Sequence, residues 1–532
     1  MTVLWEAAVG GAVEPVRPVL ESRLESVPAR RNERRVAVID VGSNTARLVV
    51  FHVSPGGYLR AVLERKESPR LGLGVGPDGS LSADAMERGV GAIDRFARTL
   101  RDLGEPKTVG VTTSAVRDAP NGHLFLDRVR KETGTALRVL SGPEEAHYAY
   151  LGVASAWELD TDLVCDLGGG SLQIASVRRG RLQNTVSLPL GALRLTERFL
   201  EHDPPKGREI EALQDQVRKE VGAALDTFGR AEWRLFGVGG TVRTLAKVAI
   251  GLRDYPISRV HGYPMRTHDL DALGELLLDM PSARRGEVPG IGSDRTDVIV
   301  AGLLVFAELL RAAGTGLVTV SGTGIREGLA LEEVRAQLPA PAVELLRRSV
   351  HAASEALAFS VEHGEAVGEV ARTLFQLLAK RMGWADEESM ALTVAAWMHD
   401  SGASIDLWRH ARHSAYLIRN VPIWGLSQRE VLLASMAAYL HEGDEPPSSW
   451  RKAYLPVVKG SDIQTARRLG TLVYVAETLQ GADPKFSLPE DSGILSVGLA
   501  KNPELGPRTK PIDKIRKPMR REFELEVRLR DA

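Results

Sequence analysis

Two stretches of the chain carry the same arrangement of residues that can grip an anion. In the first, an apolar run ends in Asp40, turns through Gly42, Ser43, Asn44 and Thr45, and resumes as a second apolar run from Leu48. In the second, the run ending in Asp166 turns through Gly168, Gly169, Gly170 and Ser171 and resumes at Leu172. Successive N–H groups on such a turn form a concavity that binds anions, and glycine gives the backbone the freedom to make it. An aspartate beside the turn can orient a metal ion or a water against that anion. One such turn alone reads equally as a hairpin; two with aspartate at matching positions point to a phosphate cleft built from a duplicated unit. A third glycine turn, Gly237-Val-Gly239-Gly240-Thr241, lies between a strand-like run and a helical one, which adds helix-terminal N–H groups. A fourth turn offers the hydroxyls of Thr113 and Ser114 and the guanidinium of Arg117, whose fork suits phosphate oxygens.

The elements that must position these turns are strands paired on either side of each one, with helices between. At 532 residues the chain exceeds one ordinary core, and its length suggests roughly three or four domains. The net charge of -1 excludes a global positive field, so a polyanion would have to be met by locally gathered cations. Cys165, the single cysteine, excludes an internal disulfide and reads as a buried thiol in its strand. The apolar run Val298 to Leu310 contains Glu308 and is too short to span a bilayer. Residues 1–35 read as a disordered extension without signal-peptide features. Two α/β lobes are expected over 36–150 and 151–335. Long amphipathic periodicity over 336–485 predicts an all-helical domain, and 486–532 reads as a basic segment, Lys501 to Arg521, closed by a strand over Phe523 to Arg530.

The ordered set of motifs resembles the exopolyphosphatase and guanosine pentaphosphate phosphohydrolase (Ppx/GppA) family. It comprises Asp40 to Thr45 with Arg47, Thr113 to Asn121, Ser141-Gly-Pro-Glu-Glu-Ala146, Asp166 to Ser171, Leu188 to Gly191 with Arg194, Gly237 to Thr241 and Gly324 to Gly328. The resemblance implies α/β architecture of the acetate kinase, sugar kinase and actin type, two RNase-H-like lobes with substrate phosphates between them. It implies Glu145 as general base and Asp166, with Asp40 and Glu145, as holders of Mg²⁺ or Mn²⁺. Arg117 and the turn residues Gly42, Ser43, Asn44, Thr45, Arg47, Thr113, Ser114, Gly168, Gly169, Gly170, Ser171, Gly239, Gly240 and Thr241 would then bind phosphate. Without the family pattern, Glu144 and Glu145 read as an acidic pair on a helix surface. The activity implied is release of terminal phosphate from polyphosphate, or from a guanosine alarmone (pppGpp), by a cytoplasmic homodimer with no membrane or specific nucleic-acid partner. Where the family carries Thr and Glu after the third motif's Ser, this chain has Leu172 and Gln173, which removes one charge from any hard-cation site.

The helical region in turn resembles an HD-domain, with His363 as its first histidine, His399-Asp400 as its central pair and His413 as its later histidine. Glu477 stands where the closing aspartate of a working site would be, so a relic used for dimerisation or for guiding a long substrate competes with metal binding and with independent catalysis. Two rivals to hydrolysis remain at this level. A phosphotransferase would need a nucleotide pocket, and a sensor that binds alarmone without cleaving it would account for Gln173.

Overall fold

The structure, a computed structural model, describes residues 34–499 and 512–531 apart from 55, 77, 444, 446, 490 and 491. The extension over 1–33, and Lys501, Arg508 and Lys510 of the basic segment, lie outside the described residues.

The first lobe is built on strands β1 (Arg34–Val41), β2 (Ala46–Val53), β3 (Leu59–Glu67), β4 (Lys107–Thr112) and β5 (Arg138–Val139), in the order β3-β2-β1-β4-β5. The second is built on β6 (Asp162–Leu167), β7 (Leu172–Arg178), β8 (Arg181–Leu188), β9 (Arg234–Val238), β10 (Pro264–Arg266) and β11 (Leu317–Val320), in the order β10-β11-β9-β6-β7-β8. Read from the hairpin side, both sheets are three antiparallel strands followed by two parallel ones, and the second sheet adds β10 as an antiparallel edge strand. The expected duplication is therefore present in the topology itself. β1 opens at Arg34, inside the stretch assigned from sequence to the extension.

The duplication extends to register. Asp40 faces Arg47 across β1 and β2, and Asp166 faces Gln173 across β6 and β7. Each turn closes in the same way: Gly42 N–H donates to the Thr45 carbonyl at 2.9 Å, and Gly168 N–H to that of Ser171 at 3.0 Å. The strands behind the turns are buried on both faces, as expected of central strands covered by helices. Cys165 lies within this core.

Beyond residue 341 the chain is helical, from Ala342–Leu357 to Asp462–Leu479. Its apolar core is continuous with that of the second lobe and with a small C-terminal sheet of β12 (Lys485–Ser487), β13 (Ile494–Leu499) and β14 (Glu526–Asp531). The terminal strand is shorter than its alternation suggested. Phe523 ends the helix Arg516–Phe523, and the chain turns at Glu524, φ 58°, before β14 begins. The alternation was nonetheless real, since Phe523, Leu525 and Val527 are all buried. Among the described residues, no helix is long and apolar enough to cross a membrane.

Candidate active site

The two matched turns meet in a cleft between the lobes. Ser43 Oγ lies 3.0 Å from Ser114 Oγ. At Gly170 a Cβ would stand 2.4 Å from Ser114 Oγ and 2.7 Å from Ser43 Oγ, so only glycine lets the turns approach this closely. Gly239 is the second position that requires glycine: its φ is 101°, and a Cβ there would lie 2.5 Å from the Leu167 carbonyl and 2.9 Å from Asp166 Oδ1. The helix Gly240–Leu252 starts at this point and directs its first N–H groups at the cleft. Asp40, Gly42 to Thr45, Arg47, Thr113, Ser114, Glu145, Asp166, Gly168, Gly169, Ser171 and Gly239 to Thr241 all line the same cavity.

Glu145 reaches it through a local rule of helix starts. Ser141 caps the helix Gly142–Ala154, accepting from Glu144 N–H, while Glu144 accepts in return from Ser141 N–H at 2.8 Å. The capping box commits Glu144 to the exposed side, where it pairs with Arg138. The next residue turns inward, and Glu145 is only 3% exposed. Burial pushes its carboxyl up to about 8 against the pull of Arg117, and the charges of Asp166 and Asp40 push in the same direction. Asp166 is likewise raised to about 6 by burial, opposed by Arg243 and reinforced by Asp40. Burial raises Asp40 too, against the charges of Arg326 and Arg47.

Arg117 is placed differently from the expectation of a phosphate clamp. Its guanidinium pairs with Glu145, donates to the Leu140 carbonyl at 3.0 Å and contacts Asp118 at 3.2 Å, and it is not among the side chains lining the cleft. The cations that do line it are Arg47, Arg243, Arg295 and Arg326. Arg243 is half-buried, and the loss of water around its guanidinium pulls it down to about 10, with Arg326 adding repulsion. Its Nε has no hydrogen-bond partner among the described residues. Arg295 donates to Thr241 Oγ1 at 3.2 Å. Sequence reading passed over Arg243 and Arg295; the former lies two residues after a quoted motif, and the latter arrives from a loop with no motif of its own.

Gln173 is in the cleft wall, and its amide donates to Ser171 Oγ at 2.8 Å and Ser187 Oγ at 3.0 Å. Lobe-to-lobe contacts flank the opening: Lys66 to Asp294 at 2.7 Å, Arg194 to Asp118 at 2.6 Å, and Arg70 to Asp297.

Two family descriptions match this chain: the Ppx/GppA phosphatase family over residues 49–337, and domain III of Ppx/GppA phosphatases over 346–451. The chain belongs to the Ppx/GppA phosphatase family. It is 32% identical to Exopolyphosphatase 1 of Mycobacterium tuberculosis over 330 residues, 61% of this chain and 94% of that relative. It is 26% identical to the guanosine-5'-triphosphate,3'-diphosphate pyrophosphatase of Vibrio atlanticus over 487 residues, 87% of this chain and 92% of the relative. Among solved structures, the Ppx/GppA family member of Aquifex aeolicus matches 57% of this chain and 98% of its own at 30% identity and a TM-score of 0.50. An exopolyphosphatase from Cytophaga hutchinsonii matches 58% and 100% at 25% identity and a TM-score of 0.53. As a member of this family the chain is a phosphoanhydride hydrolase on a two-lobed α/β fold, followed by a helical region.

In the helical region the cluster around Asp400 differs in membership from the reading of the sequence. His363, His399 and Asp400 come together, but His413 and Glu477 do not join them; His410 and His441 do.

Proposed function

We propose that this chain is an exopolyphosphatase that releases the terminal phosphate of inorganic polyphosphate by attack of water. The observation that carries the reading is Glu145: a buried carboxyl with its ordinary pKa raised towards neutrality, fixed by Arg117, at the edge of a cleft made of glycine turns, hydroxyls and arginines. Among the described residues no aromatic ring lines this cleft, so a phosphate chain finds partners throughout while a guanine base finds no ring to stack on.

In this account the terminal phosphate sits on the N–H groups of the two matched turns, with the hydroxyls of Ser43, Thr45, Ser114 and Thr241 around it. Arg243 and Arg295 offset charge that develops on its oxygens. Glu145, ionised, takes a proton from the water as the water oxygen bonds to phosphorus. The bridging P–O bond breaks, and the shortened chain leaves as its own terminal phosphate. General-base catalysis of this kind contributes on the order of 10²- to 10⁴-fold. Arg117 acts one step back, as the group that aims the Glu145 carboxyl and keeps its pKa from rising further under burial.

The carboxylates suit a hard divalent cation. Glu145 and Asp166 are buried and Asp40 half-buried; the charges of Asp166 and Asp40 push the Glu145 carboxyl up and that of Asp40 pushes Asp166 up, a repulsion that a cation relieves. Their oxygens do not close into one cluster among the described residues, which fits Mg²⁺ or Mn²⁺ held by one or two carboxylates, waters and substrate phosphate. Such an ion would supply Lewis-acid neutralisation of the phosphate oxygens.

The alternative substrate is pppGpp. It is favoured by one observation: the relatives carrying the pyrophosphatase name include one aligned over 87% of this chain, helical region included. The family resemblance also suggests a cytoplasmic homodimer, a division into lobes near residue 150 and at 335, and an HD-like character for the helical region. Hydrolysis in ¹⁸O-labelled water tests the reaction class. One labelled oxygen per orthophosphate released is expected; formation of ATP from ADP and polyphosphate in place of orthophosphate would contradict it.

A further inference from the structure

We propose that the junction of the two lobes with the helical region is an effector site for a small aromatic monoanion, separate from the phosphate cleft. A cavity of about 270 Å³ lies there, walled by three parts of the chain. The β2–β3 hairpin supplies Phe51 and Tyr58, and the helical region supplies Leu345, Arg348 and Trp424. The second lobe supplies Gly322, Thr323 and Glu327.

Its chemistry is the opposite of the cleft's. The cleft offers hydroxyls and arginines, with no aromatic ring among its described lining residues. Here three rings, those of Phe51, Tyr58 and Trp424, stand beside Leu338 and Leu345. The rings are held in place by the protein itself. Tyr58 donates its hydroxyl to the Pro422 carbonyl at 3.2 Å and lies 6.3 Å from Trp424, with the ring planes 35° apart. Trp424 packs edge-on against His261 at 4.7 Å, and His261 Nδ1 accepts from Gly322 N–H at 3.0 Å. Pre-formed apolar walls carrying a few fixed polar groups are the usual makeup of a small-molecule site.

The charged groups set the sign of the ligand. Arg348 donates from Nε to Glu344 at 2.9 Å, and its two terminal nitrogens meet no hydrogen-bond partner among the described residues. Its side chain is only 16% exposed. A guanidinium withdrawn from water with its fork open is costly until a planar anion fills it. Glu344 is not among the residues lining the cavity; of those that are, Arg60 and Arg348 against Glu327 leave one net positive charge. That suits a carboxylate better than a phosphate dianion.

The cavity shares a wall with the cleft. Over residues 322–327, Ile325 and Arg326 line the cleft, while Gly322, Thr323 and Glu327 line the cavity. Arg326 pairs with Glu64, and its charge acts on Asp40. A ligand that packs on Trp424 and this segment therefore acts on Arg326. The coupling is reciprocal, so the factor by which the ligand alters substrate affinity is the factor by which substrate alters the ligand's.

The test uses the full chain with 1-naphthoate as probe and neutral 1-naphthylmethanol as control. Isothermal titration calorimetry should find one equivalent of naphthoate per chain, and the alcohol should bind about 10- to 100-fold more weakly, the difference made by charge-assisted hydrogen bonds. Arg348→Gln should weaken naphthoate by the same factor without affecting the alcohol, and Arg348→Lys should recover part of the loss. Trp424→Leu should weaken both ligands. Arg243→Met, a change in the cleft, should leave naphthoate binding intact. Circular dichroism and cooperative melting report that each variant is folded. At saturating naphthoate, orthophosphate release from whichever substrate the chain cleaves should change by about fivefold or more, and should not change in Arg348→Gln. Absence of saturable binding, equal binding of the alcohol, wild-type affinity in Arg348→Gln or Trp424→Leu, loss of binding in Arg243→Met, or unchanged release at saturation would overturn the proposal. None of these results depends on whether polyphosphate or pppGpp is the substrate.

Discussion

Replacing Arg117 with Met separates two readings of the arginine that predict different pH behaviour. In the structure its guanidinium contacts Glu145, and Arg117 is the leading influence holding that carboxyl down against burial, at about 8. An opposite charge in contact typically lowers a carboxyl pKa by about 1–3 units. Without it the Glu145 pKa rises to about 9–11. The sign follows from the role: a base works when deprotonated, so activity grows as pH rises through the folded-state pKa. At pH 7 a carboxyl of pKa about 8 is about one-tenth ionised, and each further unit removes about another factor of ten. The variant should therefore lose about 10- to 1,000-fold in kcat/KM at pH 7 and recover progressively towards pH 10, with the acidic limb of its profile displaced upward. The assay is phosphate release from polyphosphate across pH 6–10 at saturating Mg²⁺. An equal loss at every pH, with the limb unmoved, would mean that Arg117 binds phosphate directly, and the present assignment would be wrong.

Glu145→Gln keeps the shape of the side chain but removes its basicity; phosphate release should fall about 10²- to 10⁴-fold while polyphosphate binding by equilibrium dialysis stays within a few-fold. Gln173→Glu places a carboxylate opposite Asp166, where the Ser171 and Ser187 hydroxyls can reverse and donate to it, so half-maximal activation should move to lower Mg²⁺; an unchanged activation curve would put the position outside the ion's reach. Gly239→Ala forces a side chain into a left-handed turn against the Leu167 carbonyl and should cost about 1–3 kcal/mol in denaturant unfolding, with activity lost beyond what stability explains. Lys514, Lys517 and Arg520 are exposed together near the C-terminus, and neutralising all three should make long-chain binding less sensitive to salt, by about 0.7 in logarithmic slope for each phosphate they neutralise, while short chains are unaffected.

How much of this was legible in the sequence depended on whether a feature is written in the backbone or in tertiary contacts. The two Asp-Gly-Ser turns were readable because their glycines and hydroxyls are the turn, and the register that sets Asp40 opposite Arg47 and Asp166 opposite Gln173 follows from turn length. The inward aim of Glu145 was implicit in Ser141 and Glu144, a capping box that fixes which glutamate faces out. Arg117 was misdirected: its residue type suits phosphate, but the proximity of Leu140 and Glu145 that captures it arises only when the helix Gly142–Ala154 packs beside it. Arg243 and Arg295 were missed because a lone arginine on a helix or loop carries no spacing signal. The histidine cluster was half seen. His399-Asp400 is contiguous, but His410 and His441 come from separate helices, and His413 lies three residues past the position that faces the centre.

The most direct test of the central claim is orthophosphate release measured side by side on long-chain polyphosphate and on pppGpp, with Mg²⁺ and with Mn²⁺. The account predicts sustained release from polyphosphate, with chains shortening from their ends and a kcat/KM exceeding that for pppGpp. Release from pppGpp alone, with polyphosphate left intact under both metals, would contradict it.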